Sequence, residues 1–446
     1  MFESRVHNRI GLAGRFLRNR ISRLMRATSR IPSATARNLS ITVLMGCLSA
    51  AGQTLTTLYS FGSNPRDGAD PVAGVVFDKA GNLVGAAAIG GGQGRGMLFE
   101  LSPPATPGGP WTETILKQFH KSPDGGSPEC RLIVTSTGQL VGTTFQGGTN
   151  NAGTAFALLP PAVPGDPWKE RVLYNFGNFP GDAVNPNAGL LAKGQVYYGA
   201  GSGGANFSGA VFQLTPPARR GDPWTETILY SFAARGSGDA GFPSGELIVD
   251  KKGNLYGNAL LGGTNDKGAV YEVSPPAVKG DPWTEKVLFS FDGTNGTLPS
   301  GRLLLDASGT LFGTTDGGGT GFAGTVFQLV PPAAPGEPWT QAVLYNFSGG
   351  IDGGGPAAGV VMKQGRLFGT AQNGGNGGPR NSGGVVFALD PPAQPGGAWT
   401  ETVLYSFGGP DGFLPASLLT LKNGQLYGTT SQGGVFGTGT VFVLRP

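Results

Sequence analysis

The segment GDPWTETILYSF, residues 221–232, recurs along the chain in several near-copies. The copies read GDPWKERVLYNF (165–176), GDPWTEKVLFSF (280–291), GEPWTQAVLYNF (336–347) and GGAWTETVLYSF (396–407). All six tryptophans of the chain follow the same pattern, at spacings of 57, 56, 59, 56 and 60 residues. Self-similarity at such a period indicates a repeat architecture, which outweighs the domain number that a length of 446 residues would suggest.

The residues between two copies predict four short strands per repeat. In residues 243–291, SGELIVD is a nearly continuous apolar run, LYGNA returns after a KKGN turn, AVYEV alternates in polarity, and WTEKVLFSF is a longer strand. The prolines lie at the strand ends, where no hydrogen bond of a ladder is lost. The 80 glycines and 35 prolines therefore belong to turns of an all-β fold rather than to a disordered chain.

The two halves of the repeat are out of phase at the chain ends. The LYSF element and the G-x-L-Y-G…V-F-x-L element each occur seven times. The chain starts with the strand QTLTTLYSF (53–61) and stops after GTVFVLRP (439–446), where the next tryptophan strand would begin. We predict that the first strand completes the last repeat, which closes a seven-bladed β-propeller of four-stranded blades and covers its open edge.

These motifs resemble two groups of known proteins. As in kelch propellers, each predicted blade has a glycine doublet after its second strand, and six of the seven have a tryptophan at the fourth. The combination of LYSF, DG-x-x-P, G-x-LYGTT-x-x-GG and GTVFxL over residues 54–446 resembles the tandem GloVer repeat of exported bacterial proteins. The resemblance implies propeller-like repeats with varied anchors, and it implies no activity. Because this chain ends at Pro446 without an apolar tail, we expect any anchor to lie at the N-terminus.

The N-terminal residues 1–52 have the composition of an export signal. They carry nine arginines and one acidic residue, and they end in the short apolar stretch LSITVLMGCLSAAG (39–52). This stretch is too short to span a membrane but is typical of a signal peptide. We predict cleavage after one of the small residues Ala50, Ala51 and Gly52.

Export has consequences for location and for stability. We predict a secreted or cell-envelope-associated bacterial protein in which residues 53–446 form a single propeller. Lipidation of Cys47 within the LMGC motif is one alternative to simple cleavage, and an uncleaved basic leader is another. Once Cys47 has been removed, Cys130 has no partner for an intrachain disulfide.

The charge of the protein depends on this leader. The whole chain carries a formal charge of +4, but without residues 1–52 it contains 23 basic and 27 acidic residues. A mildly acidic folded part argues against nucleic acid or an anionic membrane as a partner. We expect a monomer without a transmembrane span or a cofactor, whose partner is a polysaccharide or a surface protein.

A D-x-x-x-P loop follows each LYSF strand and leads to the next predicted blade. Its first residues are Asp67, Asp124, Asp182, Asp239, Asn295, Asp352 and Asp411, which should form a ring on one face. Carboxylate oxygens in such a ring could bind Ca²⁺. Asn295, however, forms an Asx turn as well as an aspartate does and lacks the charge. We therefore predict structural turn residues and no dedicated metal site, with Ca²⁺ binding as the alternative.

The tryptophans have packing and ligand binding as competing roles. They are Trp111, Trp168, Trp224, Trp283, Trp339 and Trp399. Flat indole rings can stack on sugars, but a residue that recurs before an alternating strand in every internal repeat is typical of packing between blades. We therefore predict inter-blade packing, toward the face opposite the D-x-x-x-P loops.

Residues that depart from the repeat are better candidates for a specific site. The most deviant loop is FHKSPDGGSPECR (119–131), and the loops NDKG (265–268) and GGPRNSGG (377–384) are also polar and irregular. We predict a ligand face formed by His120, Lys121, Glu129, Arg131, Asp266, Asp316 and Arg380. The histidine and the cysteine of the first loop have no visible third group, so we predict no catalytic residue there.

These features favour a binding or interaction module of the cell envelope, with a carbohydrate or a protein as ligand. A polysaccharide-active enzyme, either a glycosidase or a lyase, is one alternative, since a propeller can gather single charged residues from separate blades. Glu129, Glu246, Arg302 and Asp316 are positions where this could happen. A purely structural surface repeat protein is the other alternative, and it predicts near-equivalent blades without a concave pocket.

Overall fold

The chain folds into seven antiparallel four-stranded blades, which confirms the all-β class and the blade number predicted from the repeats. The computed structural model describes residues 53–446 except 107, 121, 164, 220, 335, 377–381 and 395. The predicted signal peptide and Cys47 therefore lie outside the described residues, as do the ligand-face candidates Lys121 and Arg380. Within the described ranges, no helical segment is long and apolar enough to cross a membrane.

The blades follow one another along the chain, each with its inner strand first. Blade 1 consists of Val75–Phe77, Leu83–Ala87, Met97–Ser102 and Thr112–Gln118; blade 2 of Ile133–Val134, Leu140–Thr144, Thr154–Leu159 and Lys169–Asn175; blade 3 of Leu191–Lys193, Val196–Gly203, Ala210–Thr215 and Thr225–Ser231; blade 4 of Ala240–Val249, Leu255–Gly262, Ala269–Ser274 and Thr284–Ser290. Blade 5 consists of Leu304–Leu305, Leu311–Gly317, Thr325–Val330 and Thr340–Asn346; blade 6 of Val360–Lys363, Arg366–Ala371, Val385–Asp390 and Thr400–Ser406; blade 7 of Thr420–Lys422, Gln425–Thr430, Thr440–Arg445 and Thr54–Ser60.

Short additional strands extend the second strand of some blades or follow it. Gly68–Ala69 pairs with Ile89–Gly90, Gly125–Gly126 with Gln146–Gly147, Ala183–Val184 with Val196–Gly203, and Thr297–Pro299 with Leu311–Gly317. Each of these pairings ties a D-x-x-x-P loop to the end of the second strand in the blade that the loop enters.

The first strand of the chain closes the ring, as the out-of-phase repeats predict. Thr54–Ser60 runs antiparallel to Thr440–Arg445, with Thr54 opposite Arg445 and Ser60 opposite Thr440. The strand supplies the outer edge of blade 7, so the two ends of the propeller are joined by backbone hydrogen bonds rather than by a covalent link.

The LYSF and V-F-x-L motifs recur because their aromatic rings meet across every blade interface. The pairs are Phe61–Phe99, Phe119–Phe156, Phe176–Phe212, Phe232–Tyr271, Phe291–Phe327, Phe347–Phe387 and Phe407–Phe442. Their centroids are 4.9 to 5.4 Å apart, mostly edge to face, which is an arrangement that aromatic rings favour. All these rings are buried, so each interface has a dry hydrophobic centre.

The glycine of the L-Y-G motif makes room for these rings. In blade 5, a Cβ atom on Gly313 would lie only 2.5 Å from the ring of Phe327. Any side chain at this position would displace the ring from the interface, and close approach of this kind is a reason for glycine inside a strand.

The antiparallel order of the strands places the connections on two faces. The loops after the second and fourth strands of every blade lie on one face, which we name the loop face. It carries the D-x-x-x-P loops, such as residues 61–71, and the GG-x-x-x-x-G loops, such as residues 318–324. The opposite face carries the turns after the first strands and the proline-bounded loops, such as residues 275–283.

Candidate functional site

The acidic residues of the D-x-x-x-P loops accept backbone hydrogen bonds from their own turns. Asp67 accepts N–H bonds from Gly62 at 2.8 Å, from Ser63 at 3.0 Å and from Gly68 at 2.7 Å. Backbone N–H groups likewise donate to Asp182, Asp239, Asp352 and Asp411, and Asn295 Oδ1 accepts one at 3.0 Å. Aspartate and asparagine therefore do the same work in these turns. Among the described residues, no group of three or more His, Cys, Asp or Glu side chains could hold a metal ion, and Ca²⁺ binding stays a prediction.

Five of these seven loops also contribute to a polar junction between two blades. A junction consists of the aromatic or basic residue of the LYSF element, the first residue of the D-x-x-x-P loop, and the glutamate that follows the next tryptophan by two positions. In the junction of blades 2 and 3, Tyr174 Oη lies 3.1 Å from Asp182 Oδ2 and 3.3 Å from Glu226 Oε2. Burial, assisted by Asp182, raises the pKa of Glu226 to about 10. A pKa this far above the usual range favours the protonated form of the Glu226 carboxyl group at neutral pH.

The predicted packing tryptophans are half-buried and lie against the hydrophobic clusters between blades. Trp168 packs on the cluster shared by blades 1 and 2, and Trp224 on the cluster shared by blades 2 and 3. Trp224 also stacks on Tyr197, with centroids 5.5 Å apart and ring planes 21° apart. All six indoles are half-buried, and inter-blade packing stays our prediction for their role.

The ligand-face candidates that the structure describes lie in different loops and layers of the propeller. His120 is 53% exposed and its Nδ1 lies 3.3 Å from Asp124, within the junction of blades 1 and 2. Asp266 belongs to a loop of blade 4, where it pairs with Arg235 at 2.5 Å. Glu129 is half-buried beside Cys130 in the chain.

Asp316, a further ligand-face candidate, and Cys130, the cysteine of the first deviant loop, have buried surroundings. Asp316 is half-buried in the GTTDGGG loop of blade 5, and burial raises its pKa. Cys130 lies in the hydrophobic cluster of blades 1 and 2, and burial raises the pKa of its thiol to about 11. A thiol of this kind is a poor nucleophile, because the reactive species is the thiolate.

Arg131 instead belongs to a layer of residues at the start of the inner strands. The entrance layer is formed by the residue three positions after the proline of each D-x-x-x-P loop, which is Gly74, Arg131, Gly189, Glu246, Arg302, Gly359 and Leu418 in blades 1 to 7. Three of these seven positions are charged, and the other four are glycine or leucine. The ring therefore brings Arg131, Glu246 and Arg302 from three different blades into one layer.

The charged residues of the entrance layer interact with one another beside a cavity. Arg302 Nε lies 3.4 Å from Glu246 Oε2, and Arg131 Nη2 donates to Thr420 Oγ1 of blade 7 at 3.1 Å. Burial raises the pKa of Glu246, although the two arginines oppose the rise. The cavity has a volume of about 320 Å³, and all three charged residues line it. Glu246 and Arg302 are two of the positions that the sequence suggested for charges gathered from separate blades, and alignment of the repeats on the proline adds Arg131 to the same layer.

A second feature of the loop face is a pair of exposed phenylalanines with left-handed backbone. The third residue after the glycine doublet of the GG-x-x-x-x-G loops has a positive φ, and it is Gly94, Asn151, Phe207, Asp266, Phe322 and Gly437 in blades 1 to 5 and 7. Glycine, asparagine and aspartate tolerate this conformation, whereas a bulky side chain adopts it at a cost. Phe207 and Phe322 nevertheless adopt it, at φ of 57° and 56°, and are 64% and 84% exposed. Phe242, Leu298 and Leu414 also adopt it, before the prolines of D-x-x-x-P loops, but they are half-buried.

Sequence reasoning missed these phenylalanines because exposed single apolar residues are ordinary on protein surfaces. The signal that could have found them is their position, since the loop pattern calls for glycine, asparagine or aspartate there. The alignment of the GG-x-x-x-x-G loops would have marked both residues as departures from the repeat.

Comparison with known proteins identifies a family but no close relative of known activity. A family model described as the Gloeobacter/Verrucomicrobia repeat matches residues 105–279 and 222–442. No curated protein matches the chain. Structures that are similar to it are therefore remote in sequence, as the following three illustrate.

The PQQ-bound aldose sugar dehydrogenase of Streptomyces coelicolor is 12% identical with a TM-score of 0.44, over 88% of this chain and 98% of that chain. An extracellular domain from B. thetaiotaomicron, from a protein named as a hybrid two-component system, is 12% identical with a TM-score of 0.48, over 88% of this chain and 42% of that chain. The polysaccharide lyase Uly1 is 10% identical with a TM-score of 0.47, over 87% and 91% of the two chains. Likeness at this level carries no argument about activity.

Proposed function

We propose a binding function for this chain, which belongs to the Gloeobacter/Verrucomicrobia repeat family. In this proposal it is an exported module of the bacterial cell envelope that binds a polysaccharide on its loop face. The observation that carries the proposal is the presence of Phe207 and Phe322, exposed and with left-handed backbone, at a loop position where other blades have glycine, asparagine or aspartate.

The energetics of these two residues support a ligand. A non-glycine residue with left-handed backbone costs about 1–2 kcal/mol, and asparagine avoids much of that cost. Rings that are 64% and 84% exposed recover little of it by burial in the free protein. Unfavourable local conformations that persist without a structural gain are typical of functional positions. A bound ligand that covers the rings would supply the missing burial.

The rest of the loop face also exposes large apolar side chains. Exposed large apolar side chains of its loops are Ile89, Phe179, Phe207, Phe322, Ile351, Val435 and Phe436. Small residues surround them, as in the sequence GGTGFAG (318–324), so a flat ligand could approach the rings closely. The apolar faces of sugar rings fit such a surface, and the mildly acidic charge of residues 53–446 disfavours an anionic membrane.

The test is affinity electrophoresis of the protein through gels that contain cell-wall or plant polysaccharides. We expect one polymer to retard the wild type in the gel, and the double variant F207N/F322N to migrate through the same gel without retardation. In blade 2 the equivalent position is already an asparagine, Asn151, with the same left-handed backbone. The double variant should therefore fold, and its resistance to thermal unfolding should be at least that of the wild type. Val278→Asn, an exposed apolar position on the opposite face, is the matched control and should leave retardation unchanged.

Two results would contradict the polysaccharide proposal. If no polymer retards the wild type, a protein partner becomes the better explanation of the loop face. If a polymer retards the double variant as strongly as the wild type, the phenylalanines do not form the site. Repeating the gel with EDTA tests the Ca²⁺ alternative, since loss of retardation would indicate that a cation takes part.

A polysaccharide-active enzyme is the second candidate function, because Arg131, Glu246 and Arg302 converge at the cavity. We expect an enzyme to cleave the polymer that it binds, and Glu246→Gln to abolish cleavage without abolishing retardation. Release of new chain ends, measured over time, separates the two functions. A purely structural role predicts equivalent blades, and the unequal entrance layer argues against it.

A further inference from the structure

The entrance layer contains charges that the propeller fold does not need. Blades 1, 3 and 6 have glycine at this position and blade 7 has leucine, and all of these blades close normally. Burying an arginine or a glutamate is costly unless each charge finds a partner. Their presence in three blades therefore requires a reason other than stability.

The charges of the layer are also incompletely matched. Two guanidinium groups face one carboxylate, so the layer has one positive charge in excess. The Nε atom of Arg131 is buried and has no hydrogen-bond partner among the described residues, and the buried Nε of Arg302 has only the carboxylate of Glu246 beside it, as an ion pair at 3.4 Å. Buried donors without acceptors are rare in folded proteins. An anion bound in the cavity beside Glu246, within reach of both guanidinium groups, would accept hydrogen bonds from each of them.

The polarity and the volume of the cavity beside the layer indicate the size and the polarity of the uncharged part of such an anion. Its walls include Val76, Phe77, Ile133 and Leu191 from the inner strands of blades 1 to 3. These side chains carry no charge and fit an apolar body, although Lys422 Nζ lies 3.5 Å from the centroid of the Phe77 ring. A volume of about 320 Å³ lies at the lower end of the range for small-molecule sites and suits a compact molecule.

The neighbouring glycine keeps the charged residues in place. A Cβ atom on Gly189 would lie 2.7 Å from Glu246 Oε1 and 3.0 Å from the carbonyl oxygen of Arg131. Glycine in blade 3 therefore leaves the space that Glu246 occupies between the two arginines. The charged and the small residues of the layer form one arrangement.

We infer that the cavity beside the entrance layer is a binding site for a small monocarboxylate, whose carboxylate binds Arg131 and Arg302 and whose apolar body packs against the inner strands. A monoanion matches the single excess charge, whereas a phosphate dianion would meet Glu246 with a second negative charge left uncompensated. Guanidinium groups bind carboxylates through charge-assisted, directional hydrogen bonds. The site is independent of the loop face and of the polysaccharide proposed for it.

The experiment is calorimetric titration of the full chain with benzoate, benzyl alcohol and inorganic phosphate. We expect benzoate to bind at one site, and benzyl alcohol, which has the same ring without the charge, to bind at least about tenfold more weakly. Arg131→Gly and Arg302→Gly each reproduce the residue of blades 1, 3 and 6 and should weaken benzoate binding about tenfold. Glu246→Gln should tighten benzoate binding and allow phosphate to bind.

Matched controls make a negative result informative. Leu418→Ala changes the same layer without changing its charge and should bind benzoate as the wild type does. F207N/F322N should also bind benzoate normally, because its rings lie on the loop face. The proposal is overturned if the wild type binds no benzoate, if benzyl alcohol binds equally well, or if folded glycine variants keep full affinity. The gain expected from Glu246→Gln can be seen only in a folded protein, so misfolding cannot imitate it.

Discussion

Two neighbouring junctions of the propeller each hold two acidic side chains close together, and they limit the repulsion between them with different numbers of protons. Between blades 1 and 2, Lys117 Nζ lies 2.8 Å from Asp124 and 2.6 Å from Glu170. Between blades 2 and 3, the hydroxyl of Tyr174 lies within 3.3 Å of both acidic residues. An ammonium group can donate to both carboxylates at once, but a phenol has a single proton to donate. The tyrosine junction therefore needs one more proton, which a carboxyl group must carry.

The pKa directions agree with this proton count for Asp124 and for the tyrosine junctions, whereas burial raises the pKa of Glu170 in the lysine junction as well. Although burial opposes it, the hydrogen bond from Lys117 keeps the pKa of Asp124 below its usual range. Burial raises the pKa of Glu226 to about 10, of Glu285 to about 8 and of Glu113 to about 7 in tyrosine junctions.

The junction of blades 4 and 5 has no repulsion between carboxylates, because its corresponding residues are uncharged. They are Phe289, Asn295 and Gln341. The comparison teaches that the repeat requires a neutral or balanced junction rather than a particular set of residues.

The largest expected effect comes from removing the cation. Lys117→Ala leaves the carboxylates of Asp124 and Glu170 together without a positive charge, and removing one member of a buried ionic group costs about 3 kcal/mol. We expect the free energy of unfolding in urea at pH 7 to fall by that amount. Lys117→Tyr should recover part of the loss at low pH only, since it copies the tyrosine junction. Equal stability of the alanine variant and the wild type would refute the ionic role.

The second effect is a dependence of stability on pH. The pKa of Glu226 in the folded protein, about 10, exceeds that of an unfolded glutamate, about 4.3. Its proton therefore favours the folded state, with full effect below the unfolded pKa, and the contribution is lost as pH rises toward 10. Between pH 6 and pH 8 we expect the free energy of unfolding to fall by about 2 kcal/mol more in the wild type than in Glu226→Gln.

Glu170→Gln provides the control for this measurement. It removes an acceptor of Lys117 in the balanced junction and should leave the pH dependence close to that of the wild type, while lowering stability throughout. Parallel pH curves for the wild type and Glu226→Gln would show that the tyrosine junction does not bind the extra proton.

The smallest effect concerns the phenol itself. Tyr174→Phe removes the one hydroxyl that Asp182 and Glu226 share, and loss of a hydrogen bond to a charged group costs about 1–2 kcal/mol. Phe289→Tyr, the reverse change in the uncharged junction, should not raise stability, because no carboxylate awaits the hydroxyl there. Thermal unfolding of both variants at pH 6 measures the difference. If Phe289→Tyr raised stability as much as Tyr174→Phe lowered it, the hydroxyl would not need a carboxylate partner, which would contradict this account of the tyrosine junction.

Much of the fold is readable from local pattern. The spacing of the tryptophans and the out-of-phase ends predict seven blades and their closure by residues 53–61, because each repeat specifies its own strands and turns through polarity and proline placement. The aspartates of the D-x-x-x-P loops are readable for the same reason, since the turn lies within a few residues of Asp67.

The candidate sites depend on relations that no single repeat contains. Arg131, Glu246 and Arg302 are far apart in the chain and meet only because ring closure places equivalent positions of different blades in one layer. Tyr174 and Glu226 are likewise 52 residues apart and belong to different blades. The sequence by itself determined the repeating unit and its number. Only the tertiary structure decided which charges share a cavity, which share a proton, and which phenylalanines stay in solvent, because those properties arise from packing between blades rather than within them.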